Sequence, residues 1–249
     1  ISDPNVWISQ IQGPKSMELL SKLIKEDIAE KWNYFDCKEV TIFSEKIIIS
    51  RTGFTNELGW EIYFRPENNA EKIGDLILSE GKKMGMILTA TPSFRGRRIE
   101  AGLLSAGQDF DKNTNPFSVG LGKFVDLDKK DFIVKKALSN VEKKCRTWGL
   151  RVKESVALKG ENIFSNNKVI GRVTSSTWSP FQVCGVAIIH LNNDQFGPSS
   201  VIDVKCSDGK IYKGEICSLP MYDKKNEIVR GLIENIPTKP EPWPGIQTK

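Results

Sequence analysis

Histidine is almost absent from this sequence of 249 residues, which contains only His190. That residue follows the apolar run VAIIH and has no partner ligands near it in the sequence. Because zinc sites are built from several histidine, cysteine or acidic ligands, no metal site is predicted. The apolar setting indicates a structural role for His190 rather than a catalytic one.

Cysteine is sparse, and no two cysteines form a CxxC pair. The five cysteines are Cys37, Cys145, Cys184, Cys206 and Cys217. An odd number at irregular spacing does not suit a disulfide framework and favours a reduced compartment. We therefore expect a cytoplasmic protein, with a targeting peptide left open because the chain starts at Ile1 and not at Met.

Long apolar runs and dense clusters of one charge are missing as well. No apolar stretch reaches the roughly eighteen residues that a membrane-spanning helix needs. The net charge is +5, from 36 basic and 31 acidic residues that are mixed along the chain. Without a basic stripe, neither nucleic acid nor a membrane is expected as a partner.

The segment SRTGFTNELGWEIYF, residues 50–64, has the pattern of a hairpin. The isoleucines at 47–49 suit a buried strand, and Gly59 precedes a second strand of alternating character. The side-chain period of two places Trp60, Ile62 and Phe64 on one face. It places Glu61, Tyr63 and Arg65 on the other. A carboxylate and a phenol therefore project together.

A carboxylate beside an aromatic ring suits a flat heterocycle with adjacent N–H donors, such as a pterin. One acid accepts two such hydrogen bonds while the ring of the tyrosine stacks. The alternative is that Glu61 and Tyr63 line the solvated face of a hairpin, which is the commoner use of this strand pattern.

The segment RRIEAGLLSAG, Arg97–Gly107, continues a helix predicted to begin at Thr91 and Pro92 and to end near Gly102. The helix carries Arg95, Arg97, Arg98 and Glu100. An arginine in this position can hold a ligand carboxylate in a bidentate fork. The alternative is a surface salt bridge with Glu100 or a neighbour.

Four segments in this order resemble the folate-binding aminomethyltransferase family. They are SRTGFTNELGWEIYF, RRIEAGLLSAG, TNPFSVGLGKFVDLDKKDFIVKKAL and GRVTSSTWSP. The family includes the T protein of the glycine cleavage system and, with closer similarity from Arg97 to Asp128, the dimethylsulfoniopropionate demethylases. The resemblance extends from about Val6 to Leu219.

The resemblance implies an α+β fold, namely a partial folate-binding aminomethyltransferase fold with a C-terminal antiparallel β-barrel domain. It implies tetrahydrofolate as the cofactor, bound in the middle of a ring of small domains. The expected limits are 1–140 for an N-terminally incomplete folate-binding domain, 146–223 for the barrel and 224–249 for a proline-rich tail. Short alternating strands with turn signals support the barrel.

The family motifs match this chain at four candidate folate contacts. By that match, Glu61, Arg98, Tyr63 and Glu57 are expected to bind tetrahydrofolate. No catalytic residue is nominated, because relatives carry their reacting aspartate in a segment that precedes the point matched by Ile1. The chain is therefore expected to be a fragment or a truncated gene product.

Three positions depart from the family pattern. Ala106 stands where many relatives have a tyrosine, so one ring that could pack on folate is missing. Asn56 and Val134 each replace a common glycine. The Ala106 change bears most on activity.

The implied function is transfer of a methyl group to tetrahydrofolate from a small methylated onium or amine donor such as dimethylsulfoniopropionate. The pattern NPFSVGL followed by VDLD favours this donor class. One alternative is the glycine cleavage aminomethyltransferase, whose donor is carried by a lipoyl-bearing partner protein. The other is a folate-binding protein without catalysis.

Periodicity and turn signals also predict local structure. Helices are expected at about Pro14–Lys25 and Ala70–Met84, the second with Ile73, Leu76, Ile77 and Met84 facing the core. A short helix is expected after Asp131, with that residue as its cap. Trp178 is placed on a loop of the barrel.

Overall fold

The structure is a computed structural model that describes residues 3, 5–26, 32–233 and 235–247. The chain divides into two compact units. The first comprises Ile1–Phe94 and Asp223–Pro237, and the second comprises Arg95–Tyr222 and Thr238–Lys249.

In its described part, the first unit contains a four-stranded antiparallel sheet and two helices. The strands are β1 (Trp7–Gln12), β2 (Cys37–Ile42), β3 (Glu45–Ser50) and β4 (Gly59–Phe64). The helices are α1 (Ser16–Leu23) and α2 (Ala70–Lys83). The strand order β1-β4-β3-β2 places β4 between two partners, so its side chains have cross-strand neighbours on both sides.

The alternation predicted for β4 is confirmed. Trp60, Ile62 and Phe64 are buried in the core of the first unit. Glu61, Tyr63 and Arg65 are half-buried on the opposite face. The sheet therefore turns one apolar face to the core and leaves its carboxylate and phenol on the other.

Both helices predicted for the first unit are present. Helix α1 is two residues shorter at each end than predicted. Helix α2 agrees closely with its predicted span. The side chain of Asn69 caps α2 by accepting a hydrogen bond from the backbone N–H of Lys72 at 3.0 Å. Ile73 and Ile77 are buried, as their spacing predicts.

The second unit is built around a closed antiparallel barrel of six strands among the described residues. The strands are β5 (Thr147–Val152), β6 (Asn162–Ser165), β7 (Lys168–Ser179), β8 (Cys184–Leu191), β9 (Val201–Lys205) and β10 (Ile211–Cys217). Their order is β10-β5-β8-β7-β6-β9. Buried aliphatic side chains such as Leu150, Ile163 and Val204 form the core of the barrel, which confirms the expected C-terminal fold.

Two further helices lie between α2 and the barrel in sequence, α3 (Thr91–Ala101) and α4 (Lys135–Ser139), with a 3₁₀ turn at Gly122–Phe124. Helix α3 ends before Gly102, which adopts a φ of +70°, as its sequence predicts. The predicted boundary at residues 139–146 separates α4 from the barrel, and both lie within the second unit. The predicted domain limits stay a prediction.

The predicted cap of the short helix is wrong. Helix α4 begins at Lys135, and its N-cap is Val134, which has a φ of +66° and makes no side-chain capping bond. A turn in which the N–H of Lys135 donates to the carbonyl of Phe132 separates Asp131 from the first helical residues. The carboxylate of Asp131 therefore stands outside the helix.

The predicted loop position of Trp178 is also wrong. This residue lies within β7 and pairs with Gly185 of β8. The ladder shifts register between Val173 and Ser175, and β7 continues beyond that irregularity to Ser179. The serine and threonine residues before Trp178, which suggest a turn in the sequence, therefore lie within a bulged strand.

Among the described residues, no helix is both long and apolar enough to cross a membrane.

Candidate functional site

Glu61 is the centre of a hydrogen-bonded cluster on the half-buried face of the first unit's sheet. Its Oε1 accepts from Nε2 of Gln10 on β1 at 3.1 Å. Its Oε2 accepts from the hydroxyl of Thr52 and from the phenol of Tyr63, the latter at 3.2 Å. The structure therefore brings the two predicted residues, Glu61 and Tyr63, into direct contact and adds two partners.

The register of the sheet explains this meeting. Gln10 and Glu61 are directly paired between β1 and β4, and Ser50 of β3 is the neighbour of Glu61 on the other side. Cross-strand neighbours on one face lie close enough for their side chains to interact. Because Thr52 donates its one hydroxyl proton to Glu61, the hydroxyl of Ser50 donates to Thr52 Oγ1 at 2.9 Å, which ties the start of the following loop to the sheet.

The amide of Gln10 supplies an acceptor with no partner. Its Nε2 donates to the carboxylate of Glu61, which fixes the orientation of the amide because an amide oxygen would repel the carboxylate. Its Oε1 is buried and has no hydrogen-bond partner in the described part of the chain. A buried acceptor without a donor is costly, and an N–H group of a ligand would satisfy it.

Two phenols lie in the electrostatic environment of Glu61. Burial and the negative charge of Glu61 raise the pKa of Tyr63 above its ordinary value. Burial and Glu61 also raise the pKa of Tyr34, while Arg51 opposes the increase. Both phenols are therefore protonated at neutral pH, and Tyr63 acts as a donor to the carboxylate.

Gln12 holds the loop between β3 and β4 in place. Its amide nitrogen donates to the carbonyls of Thr52 and Trp60 at 3.3 and 3.4 Å, and its Oε1 accepts from Thr55 at 2.7 Å. A Cβ added to Gly53 or to Gly59 would collide with this amide. A side chain at either glycine of the RTG and LGW sequences would therefore displace the amide of Gln12 from its hydrogen bonds to the loop.

Glu57 and Asn56 lie in the same loop. Glu57 is half-buried, and its backbone N–H donates to Thr55 Oγ1 at 3.3 Å. Asn56 has a φ of +57°, a conformation that glycine adopts freely and asparagine tolerates better than most residues. The replacement of the common glycine by Asn56 therefore keeps the loop conformation.

Arg98 belongs to the second unit, where its guanidinium is buried. Nη1 lies 2.7 Å from Oδ2 of Asp109 and donates to the carbonyl of Leu103 at 3.0 Å, and Nη2 donates to Ser175 Oγ at 2.8 Å. These contacts give Arg98 a structural role that the sequence alone does not reveal. Its contact with folate stays a prediction, as do those of Glu61, Tyr63 and Glu57.

Arg97 forms an ion pair with Glu100, the alternative that the sequence leaves open for this helix, but the carboxylate of the pair is buried. Its Nη1 lies 2.6 Å from Oε2 of Glu100, whose side chain is 1% exposed. Burial raises the pKa of Glu100, and Arg97 and the hydroxyl of Ser179 oppose that increase. Arg97 also donates to the phenol of Tyr222 at 2.7 Å.

His190 is half-buried on β8. Its Nδ1 lies 3.0 Å from the hydroxyl of Thr147, its neighbour on β5. Burial lowers the pKa of His190, and the charges of Arg172 and Arg146 lower it further. No group of three or more histidine, cysteine or acidic residues suited to a metal occurs among the residues that the structure describes.

Three members of these networks, Gln10, Thr52 and Asp109, were not predicted from the sequence. Gln10 could have been found only through the pairing of β1 with β4, which joins residues that are distant in sequence. Thr52 is the threonine of the RTG sequence, and its hydroxyl could have been identified there as a candidate hydrogen-bond donor.

Two family models match consecutive parts of the chain. The GCVT N-terminal domain matches residues 3–129, and the glycine cleavage T-protein C-terminal barrel domain matches residues 146–223. The chain therefore belongs to the glycine cleavage T-protein family, which confirms the resemblance seen in its sequence.

Curated relatives support the same assignment. An aminomethyltransferase of Halothermothrix orenii is 30% identical over 220 residues, and the alignment covers 87% of this chain and 61% of the relative. An aminomethyltransferase of Thermotoga maritima is 33% identical over 235 residues, with 89% and 60% covered. The chain thus spans about three fifths of the length of these relatives.

A solved structure shares the fold. It is the glycine cleavage system aminomethyltransferase T from Bartonella henselae, with a TM-score of 0.75 and 22% sequence identity. The similarity covers 88% of this chain and 60% of that one. It confirms the expected α+β fold with a C-terminal barrel.

Proposed function

We propose that this chain acts in tetrahydrofolate-dependent transfer of a one-carbon unit, as an aminomethyltransferase. Membership of the glycine cleavage T-protein family supports the proposal, as do relatives that bear the name aminomethyltransferase. The structural observation that carries it is the acceptor cluster centred on Glu61.

The cluster fits the pterin ring of a folate. A pterin presents adjacent N–H donors along one edge, and Oε1 of Glu61, which accepts only from Gln10, has a second lone pair that can accept one of them. The unpartnered Oε1 of Gln10 lies beside this carboxylate as a further acceptor. Glu61 and Gln10 would thus hold the polar edge, and Tyr63 offers an aromatic ring next to them.

Tetrahydrofolate, when bound, supplies the nucleophilic nitrogen that accepts the one-carbon unit. The task of this chain is to orient it, because alignment of two reactants removes a large part of the entropic barrier to their reaction. Thr52 and Tyr63 fix the carboxylate of Glu61 before the ligand arrives. Such a preformed acceptor loses little freedom on binding.

The identity of the one-carbon donor rests on the relatives and not on the geometry of the cluster. The sequence favoured a methylated onium compound such as dimethylsulfoniopropionate, but the names of the relatives favour the alternative. We therefore take the donor to be an aminomethyl group carried by a lipoyl-bearing protein. Ammonia leaves in that reaction, whereas none leaves when a methyl group is taken from sulfur.

Release of ammonia therefore distinguishes the two donors experimentally. The chain is mixed with tetrahydrofolate and an aminomethylated lipoyl carrier protein, and released ammonia is measured against a reaction without the chain. Ammonia release that needs both the chain and the folate supports the proposal. The Glu61→Ala variant is expected to reduce it, and Glu39→Gln, which changes an exposed carboxylate on the same sheet, is expected to leave it unchanged.

Two other outcomes would replace the proposal. Methylated folate formed from dimethylsulfoniopropionate, without ammonia from the carrier, would establish the demethylase function. Binding of tetrahydrofolate with neither reaction would show that this chain binds folate without catalysing the transfer by itself, which the alanine at position 106 would help to explain.

The proposed location is the cytoplasm. Its support is that all five cysteines are free thiols in the structure, which suits a reduced compartment.

A further inference from the structure

A separate cavity of about 290 Å³ lies in the second unit, beside strand β7. Its walls come from three segments that are distant in sequence. They are the loop that contains Phe110 and Asp111, the turn that contains Lys159, and the part of β7 that contains Arg172 and Val173. The volume is close to the lower end of the range for small-molecule sites, which suits a small metabolite better than a bare ion.

The cavity carries two cationic side chains. Arg172 is exposed and makes no hydrogen bond or ion pair with another side chain among the described residues. The Nζ of Lys159 donates to Oε1 of Gln108 at 2.9 Å, which holds the ammonium at the cavity wall. A guanidinium with free donors and a nearby ammonium are typical partners of a carboxylate.

The same cavity carries one anionic group. Oδ1 of Asp111 accepts from the backbone N–H of Asn113 and from the hydroxyl of Thr114, both at 2.9 Å. These bonds, with a smaller contribution from the charge of Arg172, lower the pKa of Asp111. The carboxylate is therefore ionised at neutral pH, and its second oxygen keeps its capacity to accept.

A buried network holds the cavity wall in a fixed conformation. Asp109, adjacent to Phe110, is 3% exposed and accepts hydrogen bonds from Thr174 and Ser175 of β7 at 2.6 Å each. It also accepts from the backbone N–H of Ser105 at 2.9 Å. The loop that carries Asp111 is thus fastened to the barrel strand that carries Arg172, so the backbone of these two walls is fixed before any ligand binds.

We propose that this cavity binds a small zwitterion of the amino-acid type. Its carboxylate contacts Arg172 and Lys159, its ammonium contacts Asp111, and its carbon atoms lie against Phe110. The site is distinct from the acceptor cluster of Glu61, and the proposal does not depend on folate binding.

The test compares a zwitterion with its two halves. L-alanine, propionate and ethylammonium share a two-carbon CH3–C unit and differ in which charged groups that unit carries. Each is titrated into the 249-residue chain while its amide resonances are followed by NMR. L-alanine is expected to bind saturably and more tightly than either half, with shifts centred on residues 107–114 and 159–160. Equal affinity for propionate, or no saturable binding by the folded chain, would overturn the proposal.

Charge-removing variants sharpen the test. Arg172→Gln is expected to weaken L-alanine binding by about tenfold or more, since it removes charge-assisted hydrogen bonds. Lys168→Gln, at an exposed lysine on the same strand, is the matched control and is expected to bind like the parent chain. An unchanged affinity in Arg172→Gln would show that the guanidinium does not hold the ligand.

The Asp111→Asn variant tests whether the ammonium and the carboxylate of the ligand contact different residues. This variant is expected to lower the affinity for L-alanine to that for propionate, while propionate binds at least as well as before. Unchanged melting temperatures show that the variants are folded. A loss of propionate binding together with L-alanine binding would contradict the assignment of Asp111 to the ammonium.

Discussion

The guanidinium of Arg98 and the carboxylate of Asp109 form an ion pair of 2.7 Å whose side chains are 5% and 0% exposed. Both groups have further partners, Leu103 and Ser175 for the arginine and Thr174 and Ser175 for the aspartate. A buried pair is tolerable only when such hydrogen bonds satisfy the remaining donors and acceptors. The pair joins α3, the following loop and β7.

Removal of one partner should therefore be strongly destabilising. Asp109→Ala leaves the charge of Arg98 buried without compensation, and we expect the free energy of unfolding to fall by about 3–5 kcal/mol. Denaturant unfolding followed by circular dichroism measures this loss. Glu18→Gln, which breaks an exposed pair with Lys22 at 2.8 Å, is the control and should produce no measurable change. Equal effects of the two variants would refute a structural role for the Arg98 pair.

A methyl group at Gly59 should displace the amide of Gln12, which occupies the space that a Cβ would need and is hydrogen-bonded there. Gly59→Ala is expected to cost about 1–3 kcal/mol in the free energy of unfolding, as for other overpacked sites. In a Gln12→Ala background the same change should cost less, since the obstructing side chain is gone. Additive losses in this double-mutant cycle would contradict the packing described for the loop.

Val134 is a β-branched residue with a φ of +66° at an exposed position. The left-handed conformation is unfavourable for such a side chain and costs glycine nothing. Val134→Gly should raise the free energy of unfolding by about 1 kcal/mol. Val169→Gly, at an exposed valine inside β7, should lower it instead. A loss of stability in both variants would mean that Val134 is not strained.

His190 provides a pH-dependent probe because it is the sole histidine of the chain. Burial, Arg172 and Arg146 lower its pKa in the folded state below the ordinary value of 6.5. At a pH below the pKa that His190 has in the unfolded chain, the unfolded chain binds more protons than the native one. The free energy of unfolding therefore decreases as the pH falls. NMR titration of the single imidazole should give a pKa below 6.5. In Arg172→Gln this pKa should rise; a fall would contradict the proposed electrostatic influence.

Much of the fold could be predicted because it depends on local patterns. The alternation in β4 identifies Trp60, Ile62 and Phe64 as core residues, and helical spacing identifies Ile73 and Ile77. These features follow from the side-chain period of two in strands and of about 3.6 in helices. The start of α4 could not be predicted in this way, because the turn before it displaces Asp131 from the capping position.

The candidate site was only partly predictable, because its contacts join distant parts of the chain. The proximity of Glu61 and Tyr63 follows from strand alternation, but the contact of Glu61 with Gln10 depends on the register between β1 and β4. The same holds for Arg98, whose partner Ser175 is on a barrel strand. Sequence motifs identify such residues, whereas their partners emerge only from the fold.

The most direct test of the account is the affinity of the chain for tetrahydrofolate, with and without the carboxylate of Glu61. Calorimetric titration under anaerobic, reducing conditions should show saturable binding. Glu61→Ala should weaken that binding by about 2 kcal/mol, which corresponds to roughly thirtyfold in Kd. Glu39→Gln should bind like the parent chain. Undiminished binding by a folded Glu61→Ala variant, or no binding by the folded parent chain, would contradict the assignment of this cluster to the folate.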